Sequence, residues 1–384
     1  MGRVGRRGPP SSGPGGLPQP PRLAALRPAA AGGPVVTVNT SPLRCDALIL
    51  TSGGVTVVPL PALSHTEAEA RAAGFAEALR AAEAPAPRPS TAARPRRSFA
   101  KPWSGSGAPS RRPSSPTSPP HRPRRHRHHG PRRPAPHLAV RHRPPGPAPT
   151  ARRRPPRRSG RRTLLLDRAV PSYTPTVAAL AAAVRTAARR SRRPRRCVPL
   201  VVALPRTPGF APLDGALTEA RAAADRYGPD TVLFTGADAR RARVLTALPT
   251  STHVHFACHA VADPTSPYGS HLILQDQPLT VAEISRLRLA HGEFCYLSAC
   301  ATARSGRPPD EAVQLGGAFH LAGFSQVVAT LWPVEEPTAA EAARLFHSSS
   351  RTTPAHALHE TVRTLRANAP LLPSRWAGQV HIGP

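Results

Sequence analysis

Lysine is all but missing from this sequence. Lys101 is the only one in 384 residues, and the other permanently charged bases are all Arg. Together with 51 Pro and 28 Gly, that bias points to a GC-rich genome before it points to any chemistry. Acidic residues are missing altogether from 85–166, which hold 22 of the 53 Lys/Arg. The net charge of +32 therefore collects in one segment and leaves about +10 on everything else. Aromatic residues make up only 4%, and Phe99 and Trp103 are the only two in the basic segment, so the ladder of rings that stacks on single-stranded bases is absent. No stretch approaches the roughly 20 apolar residues of a membrane span. "MGRVGRRGPPSSGPGG" carries charge without an apolar core behind it, so no secretory signal is read there. Five cysteines, an odd number without framework spacing, argue against a disulfide scaffold and for a reducing, cytoplasmic setting.

What is present changes character along the chain. Residues 1–33 are rich in Gly, Pro and Arg and are expected to be disordered. The piece 34–84 reads as a strand, a β-hairpin around "SGG" and a helix over "HTEAEARAAGFAEALRAAEA". Residues 85–162 have prolines throughout and no apolar periodicity, so disorder is the default. From 163 to 384 apolar runs alternate with helical patterns. Strands are expected at 197–204, 230–236, 252–258, 293–300 and 325–334, and helices at 214–228, 237–248, 279–289 and 310–323, the first with Asp214 as N-cap; two more helices follow. Such alternation with wholly apolar strands predicts an α/β fold, a mostly parallel sheet covered by helices on both faces.

In that architecture, reactive groups gather at the carboxyl ends of strands. "VHFACHA" delivers His259 just past one such end, and "CYLSAC" delivers Cys300 just past another. A thiol needs a base to become a nucleophile and amide donors to stabilise the oxyanion that follows. Cys300 is the candidate sulfur, His259 the base, and the backbone N–H groups of Ala260 and Cys300 the donors. The plainer reading, a buried inert thiol beside a passing imidazole, stays open on residues alone. "HVHFACH" also offers His253, His255, Cys258 and His259 as a metal cluster, but nothing in the chain completes a tetrahedral zinc set, and no metal or other cofactor is expected. Asp310 and Glu311 form either a pocket for a basic substrate residue or an ordinary acidic first helical turn. Trp332 either lines a cleft or caps the core.

At these residues the chain resembles the CHAT family of caspase-like proteins, related to caspases and separases. The matching stretches are "VHFACHA", "SHLILQDQPLTVAEI", "YLSACATA", "DEAVQLGGAFHLAGFSQVVATLWPV" and "WAGQVHIGP", with "VPSYTPTVAAL" and "VVTVNTS…CDALILTSGGVTVVPLP" upstream. The resemblance implies a caspase-like fold, His259 and Cys300 as the catalytic dyad, peptide-bond hydrolysis, and a protein as substrate or signalling partner. The family's Gly after the His is Ala260 here. An inactive scaffold module is the alternative, and nucleic-acid binding through 85–162 is a second.

The resemblance stops at 85–162, where relatives carry a stretch like "LPLHAAG". Here "APTARRR" occupies 148–154. Encoded as GCT CCC ACT GCA CGC CGC CGG, those residues read one nucleotide later as Leu-Pro-Leu-His-Ala-Ala-Gly. The hypothesis is that 85–162 is a shifted-frame reading, not a genuine basic insert. Resequencing the gene checks it: an unbroken frame shared with close relatives defeats the idea.

Overall fold

Two units divide the chain, residues 1–82 with 135–384, and residues 83–134. The structure, a computed structural model, describes residues 20–83, 137–142, 164–191, 196–261, 263, 266–298, 310–351 and 353–384.

The first unit begins with a short helix, α1 (Leu23–Leu26), and a 3-10 turn over Arg27–Ala30. Residues 1–33 were expected to lack structure. Ala29 and Ala30 are nevertheless buried against Val35, Leu50 and Leu180, enough apolar surface to order this part of the segment. The β-branched runs that follow form an antiparallel meander, β1 (Val35–Asn39), β2 (Asp46–Leu50) and β3 (Val55–Pro59), and then α2 (His65–Glu83). A strand not expected from the sequence comes next. β4 (His137–His142) lies within the Arg/Pro-rich stretch and pairs antiparallel with both β1 and β5 (Ala169–Thr174). "HLAV" is a short proline-free apolar run, which is sufficient for a strand held on both sides.

After α3 (Val177–Ser191), the alternation read from the sequence is realised. The elements are β6 (Pro199–Ala203), α4 (Ala216–Tyr227), β7 (Val232–Thr235), α5 (Arg241–Ala247) and β8 (His253–Ala257). Three two-residue strands, β9 (Ala260–Val261), β10 (His271–Leu272) and β11 (Leu279–Thr280), make a small antiparallel sheet of their own. Then follow α6 (Val281–Arg286), β12 (Phe294–Ser298), α7 (Asp310–Ala322), β13 (Gln326–Thr330), α8 (Glu336–His347), α9 (Pro354–Asn368), α10 (Pro373–Trp376) and β14 (Gln379–Ile382). Asp214, expected to cap α4, pairs instead with Arg206 at 3.1 Å; the cap position is Gly215, whose N–H is taken by the Glu336 carboxylate.

The main sheet runs β3-β2-β1-β4-β5-β14-β13-β12-β8-β6-β7. The stretch from β13 to β7 is parallel throughout, and β14 is antiparallel to β13. Side chains alternate across it with period two. Val202, Phe256 and Leu297 point to a core shared with Val244, Ile284 and Phe319, from α5, α6 and α7. Val201 and Ala203 face α4, while Phe294, Tyr296 and Val328 face α8 and α9. The fold is therefore α/β: the seven strands from β5 to β7 are mostly parallel and carry helices on both faces, and the meander and β4 extend the sheet antiparallel beyond them. Gly323 makes the step from α7 to β13 possible. Its φ is +136°, and a Cβ there would sit 2.3 Å from the Leu289 carbonyl oxygen, so only glycine fits.

Candidate active site

Register fixes where the two reactive segments leave the sheet. β8 and β12 are parallel neighbours, with Ala257 opposite Ser298 as the last pair. His259 comes two residues after the first and Cys300 two residues after the second. Cys300 itself lies outside the described residues, as does everything from 299 to 309.

His259 is buried, 6% exposed, and held on two sides by the loop after β6. Its ring stacks on Phe210, centroids 4.9 Å apart. Its Nε2 lies 2.8 Å from the Ala211 carbonyl oxygen. A carbonyl only accepts, so Nε2 carries a proton and donates to it. The imidazole is thus held in one orientation, with Nδ1 the ring nitrogen left for another partner. Nothing in the sequence marks Phe210 and Ala211 for this work, because a backbone carbonyl has no side-chain signature. Ala260 is buried in β9 opposite Leu272, and the His259 carbonyl accepts from Ile273 N–H at 2.8 Å, so β10 braces the strand that follows the histidine.

A second Cys–His pair lies at the opposite, amino edge of the sheet. Cys197 Sγ is 3.4 Å from His253 Nδ1. Burial and the Glu293 charge push this thiol up, against a hydrogen bond from Thr252, and burial pushes His253 down to about 4. Both partners are held neutral, the reverse of an activated thiolate. Cys258 and Cys295 are buried, and burial raises both thiols far above their ordinary range.

The histidines of "HVHFACH" do not converge. His255 points to the helix side and stacks on Tyr296 with ring centroids 4.8 Å apart. Its Nε2 lies 3.2 Å from Glu219 Oε2 and its Nδ1 lies 3.0 Å from His347 Nε2. Glu219 in turn accepts a hydrogen bond from Ser298, the last residue of β12. Burial pushes Glu219 up to about 8 and His255 down to about 3, and holds His347 well below its usual range with help from His255 and Arg226. Ser298, Glu219, His255 and His347 thus form one buried hydrogen-bonded chain, in which burial favours the neutral form of the carboxyl and of both imidazoles. Among the described residues, no group of three or more His, Cys, Asp or Glu is placed to hold a metal ion. Glu219 had a sequence signal. In "ALTEARAAADRY" it occupies the stripe of Ala216, Ala220 and Ala223, a carboxylate where the helix buries its face.

Asp310 and Glu311 are the first two residues of α7, and their side chains lie outside the described part. Trp332 is 8% exposed, donates from Nε1 to the Ser374 carbonyl at 2.9 Å, and meets Phe75 of α2 edge-on at 5.5 Å. Those are the contacts of a residue that caps a core.

A CHAT-domain family model matches residues 149–384. The chain belongs to the CHAT family. The CHAT match takes in β5 to β14 and leaves the meander and β4 before it. No curated protein matches. Among solved structures, the chain is similar to the Arg-specific cysteine proteinase gingipain R, at 10% identity and TM-score 0.35, over 48% of this chain and 45% of that one. Similar values hold for the complex of Porphyromonas gingivalis RgpB pro- and mature domains, at 7% identity and TM-score 0.35, over 48% and 46%. The Saccharomyces cerevisiae separase–securin complex matches at 13% identity and TM-score 0.36, over 55% of this chain and 14% of that one. The chain thus spans less than half the length of each of these solved chains. No described helix of this CHAT protein is long and apolar enough to cross a membrane.

Proposed function

We propose that this CHAT protein is a cysteine endopeptidase in which Cys300 is the nucleophile and His259 the base. The observation that carries the reading is the held imidazole, with Nε2 committed to Ala211 and Nδ1 left for the thiol, two residues past the strand paired in register with the one that leads to Cys300. In the proposed reaction, His259 Nδ1 takes the thiol proton as sulfur attacks the scissile carbonyl. Amides of Ala260 and Cys300 stabilise the oxyanion. The tetrahedral adduct collapses as the C–N bond breaks, His259 returns the proton to the leaving amine, and water hydrolyses the thioester. Asp310 and Glu311 are placed by sequence to receive a basic side chain of a protein substrate, and Trp332 supports the wall from behind. The catalytic unit is proposed to be 163–384, with 34–84 as an accessory piece. No step calls for a metal or organic cofactor.

The test is thiol reactivity. Purified protein is treated with an electrophilic peptide and adducts are located by mass spectrometry. Exposed Cys197, with its thiol held protonated beside a neutral histidine, is the internal reference. Cys300 is expected to react at least about tenfold faster than Cys197, as thiolate character dictates. Equal rates in folded protein sink the peptidase reading and favour an inactive signalling module.

A further inference from the structure

Both contacts that hold His259 come from one loop, so the ring is only as well placed as the loop is. It runs from Leu204 to Gly215, between β6 and α4, with Phe210 and Ala211 near its middle. Ala211 is exposed, so the carbonyl that anchors the imidazole stands on a surface segment with little packing of its own. The sheet pins the start of the loop, where Leu204 N–H donates to the Ala257 carbonyl at 2.9 Å. Leu213 N–H ties one arm to the other through the Pro205 carbonyl at 2.9 Å, and Phe210 N–H closes a turn on the Thr207 carbonyl at 3.1 Å. These bonds shape the loop internally and leave its far end to be fixed by something else.

Two carboxylates lie at that end. Asp214 pairs with Arg206 at 3.1 Å, but both side chains are largely exposed, and such a pair holds little. Glu336 is the other. It is the first residue of α8, half-buried, and its Oε1 accepts from the N–H of Gly215, the cap position of α4. The approach is close. A Cβ on Gly215 would stand 2.8 Å from the Ala340 Cβ and against the carboxylate itself, so a side chain there would break the contact. The amino ends of two twelve-residue helices thus meet at one carboxylate, and both attract its charge. Glu219 N–H donates to the Gly215 carbonyl at 2.9 Å, so the first turn of α4 starts from the same anchor. Only Pro212, Leu213 and Asp214 separate Gly215 from Ala211. Pro212 has its φ fixed by its ring and Leu213 is already bonded, so a shift at Gly215 passes to the Ala211 carbonyl and is not absorbed on the way.

We propose that Glu336 is a positioning residue for the dyad: by anchoring Gly215 it sets the loop whose Ala211 carbonyl and Phe210 ring orient the His259 imidazole. This assignment rests on His259 being the base proposed above. Glu336 touches neither the substrate nor the reacting atoms. Its part is to keep the ring from turning, so that Nδ1 faces one way throughout turnover.

Full-length protein carrying ¹⁵N-histidine is compared as wild type, Glu336→Ala and Glu336→Gln. The His259 Nε2–H resonance, assigned by its loss in His259→Ala, reports the bond to Ala211 through its exchange with water. Peptide turnover and the rate of Cys300 labelling report the chemistry, and circular dichroism confirms the fold. In Glu336→Ala, Nε2–H exchange is expected to quicken at least about tenfold, and kcat and labelling to fall by a similar factor with KM little changed, as misplacement of a reacting group dictates. Glu336→Gln, whose amide oxygen still accepts from Gly215, is expected to stay within about threefold of wild type on each readout. If Glu336→Ala does not fold, Glu336→Met, which keeps the length of the side chain and removes the acceptor, takes its place. Exchange at His259 unchanged in the folded variant overturns the proposal, and so does an equal loss in Glu336→Gln, because the acceptor is then not what matters. The exchange measurement is repeated in a Cys300→Ala background. A ring that still depends on Glu336 there, beside wild-type Cys300 that labels no faster than Cys197, defeats the peptidase reading alone.

Discussion

On the proposed mechanism, Cys300→Ala is expected to lower kcat/KM for a cleavable peptide by at least about 10³-fold, because the covalent route would close and only binding and oxyanion contacts would remain. His259→Ala is expected to give a comparable kinetic loss, and the two changes not to add, if the proposed pair works as a unit. The second variant also loses stability. It forfeits the 2.8 Å bond to Ala211 and the stack on Phe210, and leaves a hole the size of an imidazole in a buried site, at a cost of about 2–4 kcal/mol. Peptide turnover followed beside urea unfolding separates the two effects. Full activity in Cys300→Ala removes that residue from the chemistry.

Glu219→Ala destabilises the fold by roughly 3 kcal/mol or more, by leaving both Ser298 and buried His255 without their carboxyl partner and opening a cavity between α4 and β8. Glu219→Gln is mild, because the amide still donates to His255 Nε2 and accepts from Ser298. The pair of variants differs most in pH dependence. Folding raises the Glu219 pKa from 4.5 to about 8, so its contribution is undiminished below pH 4.5 and declines as pH rises towards 8. Folding lowers His255 from 6.5 to about 3 and His347 in the same direction, so their contribution is present above 6.5 and declines as pH falls. Between about pH 7 and 8, where the unfolded-chain histidines have largely lost their protons, the folded state holds roughly half a proton more than the unfolded chain, and wild-type stability drops by under about 1 kcal/mol per pH unit from this cluster. Glu219→Gln is expected to flatten that alkaline limb and keep the acidic one. Unfolding curves at pH 6.5 and 8 decide the matter: an equal drop in both proteins excludes Glu219 as the titrating group.

Periodicity carried the parallel half of the sheet. β6 and β12 are buried on both faces and read as nearly unbroken apolar runs, β8 and β13 are buried with polar residues among the apolar ones, and α4, α8 and α9 show one apolar stripe each. Two-residue strands such as β9 and β10 are too short to have a period. β14 was hidden for another reason: "QVHI" is four residues long, and its pairing with β13 is a contact distant in sequence. β4 was obscured by composition, since six strand residues among prolines and arginines do not shift a window average. His259 was visible because its motif is specific. Its anchors, Phe210 and Ala211, were not, because their part depends on where a loop lies in space. Glu219 and His347 are 128 residues apart and share a hydrogen-bond chain only through His255.

β5 meets β14 through a single register pair, Ile382 opposite Tyr173, with Gly383 N–H donating to the Tyr173 carbonyl at 3.0 Å. Ser172 Oγ and His381 Nδ1, 2.7 Å apart, close the same joint. The joint is thin, yet it covers the outer side of β14, which would otherwise be a free strand edge inviting another chain. Because the covering strand belongs to the same polypeptide, pairing there is unimolecular and independent of dilution. A molecule cut between β5 and β6 would exchange that intramolecular pairing for one governed by mass action, and its behaviour would begin to depend on how much of it is present.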